Sequence, residues 1–102
     1  MLDTIISKPL YRVLANLTQE PRFEVALPLA VKDWVRLRLA EARSKKHSFE
    51  QRYGMVFEEF ERAWREGRIA DAYSYEVERD YWEWEASMTD ETRLVEMTES
   101  LL

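Results

Sequence analysis

Residues 73–88 read YSYEVERDYWEWEASM, and how this stretch folds decides the architecture. Five of its sixteen residues are aromatic and six are charged, interleaved rather than segregated. At about 100° per residue, Val77, Tyr81, Trp84 and Met88 fall on one face, at steps of four, three and four. Tyr75, Arg79, Trp82 and Ala86 repeat those steps on nearly the opposite side. Glu78 and Glu85 run along one border between the stripes, and Glu76, Asp80 and Glu83 along the other. A surface helix needs only one apolar face. Two faces mean that the helix is sandwiched, with the first stripe in the core. The second stripe is covered either by the N-terminal segment of the same chain or by another molecule. A Trp flanked by Tyr and Arg has the composition of an interface hot spot, which favours the second molecule.

Working outward, Ser74 is a natural N-cap for this helix, and Glu76, Glu78 and Asp80 sit near its positive end. The helical spacing continues through Leu94, Val95 and Met97, with Ser87 and Asp90 placed to recap it, so the element is expected over 75–98. Upstream, Phe57, Phe60, Ala63 and Trp64, with Val56, form one face of a short helix over 55–66, closed by Gly67. Before it, Leu27, Val31, Trp34, Val35, Leu39, Ala42, Phe49 and Tyr53 step by threes, fours and sevens from a helix-starting Pro28. This predicts a long helix over 28–53, interrupted at most at Ser48 and ended by Gly54 in a left-handed conformation. In RFEVALP (22–28), Phe23, Val25 and Leu27 alternate with Arg22, Glu24 and Ala26, which predicts a short strand or extended arm. Leu2, Ile6, Leu10, Val13, Leu14 and Leu17 have helical spacing, and Pro9 with Ser7 marks a helix start inside that pattern. The fold class expected is all-α, a single domain over 1–102 with a helix and arm in 1–27 and three further helices.

The chain has 102 residues, 34% of them charged, two Gly and three Pro, a composition of a helical domain rather than a disordered one. It has no Cys, which removes disulfides and thiolate metal sites. No apolar run reaches the length of a membrane span, and the N-terminus is a poor secretory signal. A cytoplasmic location without membrane contact is expected. The net charge of -5 is unevenly spread: residues 1–21 balance, 22–53 carry +4, 54–73 carry -2 and 74–102 carry -7. Either a basic helix neutralises an acidic one within the chain, or the acidic end meets a basic partner.

Catalytic and metal-binding signatures are missing. His47 is the single histidine, whereas a zinc site needs about four ligands. Two glycines thirteen residues apart build no phosphate-cradling loop, and no serine stands in a G-x-S-x-G elbow. The chain is expected to be no enzyme and to need no cofactor. Nucleic-acid contact has its own candidates in Arg22, Arg36, Arg43, Lys45 and Lys46. RFEVALP before a Pro-started helix looks like the opening of a ribbon–helix–helix DNA-binding autoregulator. Only one of its three outward residues, Arg22, is basic, and Gly54 interrupts what would be the second helix.

The runs FEQRYGMVFEEFERAWREGRI (49–69) and YSYEVERDYWEWEASMT (73–89) resemble a group of short helical proteins of bacteria and archaea. That group carries a (K/R)YGM-x-FEEF motif followed by a Tyr–Glu–Val–Glu–x–Asp–Tyr–x–Glu–Trp–Glu run. Similarity weakens over 28–48 and is absent over 1–20. Members of the group look like antitoxin components encoded beside small toxin genes. The resemblance implies a protein that silences a cognate, small basic toxin without chemistry of its own. Val56 departs from the pattern, which has a small polar residue at that place. Tyr75, Glu78, Arg79, Trp82, Glu85 and Ala86 are then the expected partner-binding residues. A homodimeric interaction domain without a toxin partner is the alternative.

Overall fold

The computed structural model describes residues 7–101; Leu2 and Ile6 of the N-terminal pattern lie outside them. Four helices make up the described residues: α1 (Lys8–Thr18), α2 (Phe23–Tyr53), α3 (Phe57–Arg65) and α4 (Tyr75–Ser100). The all-α class is as expected, with a long central helix.

Helix ends follow local chemistry. The Ser7 side chain accepts a hydrogen bond from the Leu10 N–H at the start of α1, where Pro9 needs no donor. Ser74 does the same for Val77 at the start of α4. Gly54 stops α2 with φ 69°, a conformation that an L side chain resists. Val56 stands at the N-cap of α3 without a side-chain bond, exposed rather than part of the apolar face. That short helix is therefore held by packing rather than by its cap.

The expected strand at 22–27 is not formed. The chain is helical from Phe23, and Pro28 lies inside α2 rather than at its first position. Five alternating residues cannot separate period two from period 3.6 when Phe23, Ala26 and Ala30 also share a helical face. With no second strand among the described residues, helix is the state that pairs this backbone: the Val25 and Ala26 amides both donate to the Arg22 carbonyl. Pro28 costs the Glu24 carbonyl its helical donor, a loss near a helix end that the remaining 31-residue ladder absorbs. Neither proposed interruption occurs. Ser48 is interior to α2, and Ser87 is buried in α4 with its hydroxyl donating to the Trp84 carbonyl at 2.7 Å.

α4 runs antiparallel to α2, since Asp80 meets Arg52 near one end and Glu91 meets Lys46 and Arg43 further along. Val35, Ala42 and Phe49, seven residues apart, are buried on the α4 side. Ala26 is buried half a turn away from Val35, on the side where α1 packs. The core sits where α2, α3 and α4 converge. Trp84 is 0% exposed there, with Phe60, Phe57, Phe49 and Tyr53 rings at centroid distances of 5.0, 5.5, 5.6 and 5.8 Å. Its indole N–H is the one buried side-chain donor without a partner among the described residues, so the ring contacts must outweigh that loss.

Among the described residues, little covers the opposite end. α1 buries none of its residues, and the molecule measures 58 × 27 × 22 Å. Leu27, Val31 and Trp34, which the sequence places on the core stripe of the long helix, are exposed. α4 reaches α2 only as far as the surroundings of Lys32 and Val35, and α1 covers a different side.

Candidate interaction surface on the C-terminal helix

Two sets of polar contacts hold α4 in a single rotation about its axis. Asp80, read from the sequence as a border residue, points inward and is buried. Its carboxylate accepts from Arg52 Nη1 at 2.8 Å and from the Tyr53 hydroxyl at 2.6 Å. Burial pushes this carboxyl up, but the two hydrogen bonds and the guanidinium charge outweigh it and hold it below its ordinary value. Burial, then the bond to Asp80, raises the Tyr53 hydroxyl to about 12. Further along, Glu91 accepts from Lys46 at 2.9 Å and from Arg43 at 3.1 Å, and these bonds, the Lys46 one foremost, lower its carboxyl. The Tyr81 hydroxyl donates to Glu61 at 2.8 Å, tying α4 to α3. Burial and that bond lift Tyr81 to about 12.

With Trp84 and Asp80 turned inward, the second stripe must face away. Tyr75 is 76% exposed and Trp82 71%. The Arg79 guanidinium lies 5.7 Å from the centroid of the Tyr75 ring, a cation–π contact that braces the tyrosine in water. Tyr75, Glu78, Arg79 and Trp82, joined by Glu83, line one shallow depression. Glu85 is exposed beside it. Ala86 turns instead to the groove between α4 and α2, with Arg38, Glu41 and Lys45. Among the described residues, Glu76, Glu78, Glu83 and Glu85 form no ion pair, and no described segment covers the outer face. The N-terminal helix, which could have covered it, packs on α2.

The intramolecular account of the charge polarity thus holds for two acids of α4, Asp80 and Glu91, and leaves four glutamates around the aromatic stripe unneutralised. Four of the five cationic candidates for nucleic-acid contact are in ion pairs: Arg22 with Glu20, Arg36 with Asp33, and Arg43 and Lys46 with Glu91. Lys45 is exposed at the groove between α2 and α4, beside Glu41. The fold does not gather them into one free basic patch. Among the described residues no group of three acidic or His side chains could hold a metal ion, and no helix is long and apolar enough to cross a membrane.

Sequence reasoning missed Tyr73, which is more exposed than either stripe aromatic and edges onto Trp64 at 6.1 Å in the loop before α4. It stands one residue before the cap, outside any periodic pattern, and only its aromatic character could have marked it. Compared with known proteins, the chain matches no family model, no curated protein and no solved structure.

Proposed function

We propose that this chain is a partner-binding protein of the antitoxin kind, which holds and silences a small basic protein on the outer face of α4. The observation that carries this reading is a pair of rings, Tyr75 and Trp82, left in water on a rigid helix and bordered by unpaired glutamates. Exposed aromatics of this kind supply binding energy when a partner excludes water from them. The glutamates speed encounter with a cationic surface and disfavour acidic ones. An amphipathic helix presenting residues at spacings of three and four fits a groove on its partner.

The resemblance to antitoxin-like proteins supports the same reading. In the Tyr–Glu–Val–Glu–x–Asp–Tyr–x–Glu–Trp–Glu run, the named Val77, Asp80, Tyr81 and Trp84 face the chain's own interior or its border. The two open positions are Arg79 and Trp82, on the exposed stripe. Of the other named positions, Tyr75 and the glutamates lie on or beside that exposed stripe.

Co-purification with the product of the adjacent reading frame tests the proposal. Tyr75→Ala with Trp82→Ala is expected to weaken that complex by about 100-fold or more, the scale of hot-spot truncation. Thermal unfolding of the isolated variant should stay close to that of the parent. Undiminished binding, or collapse of the isolated variant, would overturn the assignment.

A further inference from the structure

A second apolar surface lies at the other end of the molecule. Of the fourteen exposed large apolar side chains among the described residues, nine fall between Leu10 and Leu37. On α1, Ala15 and Thr18 are half-buried while Leu10, Val13 and Leu17 stay exposed, Leu17 at 75%. On α2, Leu27, Val31 and Trp34 form an exposed stripe at steps of four and three, Trp34 at 62%. The α1–α2 hairpin thus covers Leu14, Ala15, Phe23, Val25 and Ala26 in part or in full and leaves most of its leucine outside. An isolated subunit gains nothing from that arrangement.

The area and the charge say what covers it. The chain exposes 7860 Å², against about 6,100 Å² for a compact monomer of 12.3 kDa, an excess of roughly 1,800 Å². Its radius of gyration is 19.6 Å, where about 13 Å suits a domain of this length. The excess is spread over an elongated chain, but a stable dimer needs only about 800 Å² per subunit, and nine of the fourteen exposed large apolar side chains lie on the hairpin. Over residues 8–37 the hairpin carries a small net charge of +2: Arg22–Glu20 and Arg36–Asp33 cancel locally, and the remaining Lys8, Arg12, Glu24 and Lys32 are all exposed. Those exposed side chains can keep their charges in water at the rim while the apolar stripes of two copies meet, so the repulsion is small and screened by salt. The outer face of α4 is the reverse case, since its four unpaired glutamates would repel a second copy of that face.

We propose that the α1–α2 hairpin is a self-association surface, and that two copies pair hairpin against hairpin into a four-helix bundle through their exposed leucine, valine and Trp34 side chains. A two-fold interface uses the same patch on both subunits, and this patch is apolar and carries nine exposed large side chains. Trp84, two residues beyond Trp82, stacks on Phe49, about 33 Å along α2 from Leu27, so the dimer would carry its two acidic aromatic faces far from the shared interface and open.

Sedimentation of the full chain alone, at low micromolar concentration, is expected to give about twice 12.3 kDa. Leu17→Glu with Trp34→Glu should return it to a monomer of unchanged helicity, and Trp82→Glu should leave the dimer intact. A monomeric parent protein overturns the proposal, as does a dimer dissociated by Trp82→Glu and not by the hairpin pair. Should the hairpin variant unfold, hydrogen exchange on the parent decides: protection of the α1 amides must rise with protein concentration, and constant protection refutes self-association there. None of these outcomes bears on partner capture by Tyr75 and Trp82, which the co-purification reads separately.

Discussion

Trp82 and Trp84 stand two residues apart on one helix, yet one is 71% exposed and the other wholly enclosed. Around Trp84 gather four rings from α2 and α3. Around Trp82 lie Tyr75, Glu78, Arg79 and Glu83, all from the same helix. The difference does not come from the side chains, which are identical. It comes from α2 and α3 occupying one side of α4, and from Asp80 reaching Arg52 and Tyr53 so that α4 cannot roll. An expensive ring in the interior contributes to folding; the same ring outside contributes only when a second molecule arrives.

The largest expected effect comes from the enclosed ring. Trp84→Ala should cost about 3–5 kcal/mol, a large share of the ~5–15 kcal/mol typical of a whole domain, and urea unfolding followed by circular dichroism should find the variant mostly unfolded. A mild loss would show that the core tolerates its absence and erase the contrast between the two indoles. Next comes the clasp. Arg52→Met leaves a buried carboxylate with Tyr53 alone, and a loss of about 1–2 kcal/mol is expected, below the value for a fully buried pair because the guanidinium is half in solvent.

The pH dependence of the urea midpoint sharpens the same point. Asp80 and Glu91 have lowered folded-state values, so their contribution is present above their ordinary 3.8 and 4.5 and is lost as pH falls below that range. Tyr53 and Tyr81 are raised to about 12, so their contribution is complete below 10 and is lost as pH climbs from 10 through 12. Asp80→Asn should shrink the acid limb; an unchanged limb would mean the clasp is not ionised in the fold. The smallest effect belongs to the exposed ring. Trp82→Ala should shift the stability of the isolated protein by no more than about 0.5 kcal/mol, and a larger shift would place that indole in the protein's own packing.

Much of this was readable before any coordinates. The inward set Val77, Tyr81, Trp84 and Met88 follows from period alone, and Ser7, Gly54 and Ser74 mark helix ends by chemistry that acts within four residues. Asp80 was misplaced because its position lies only about 40° from Trp84 on the helix, while its partner Arg52 is 28 residues away in the chain. The stretch at 22–27 was misread because its alternation is equally a helical face, and the missing partner strand is a tertiary fact.

Sequence by itself determined that the chain is helical, where its elements stop, and that the C-terminal helix is apolar on two sides, because turns, caps and periodicity depend on near neighbours. Only the tertiary structure decided which apolar faces are covered. Leu27 and Trp34 are seven residues apart, as are Val35, Ala42 and Phe49 in turn, yet α4 lies against the second set and leaves the first in water. Burial belongs to pairs of elements, and no single helix carries it in its own residues.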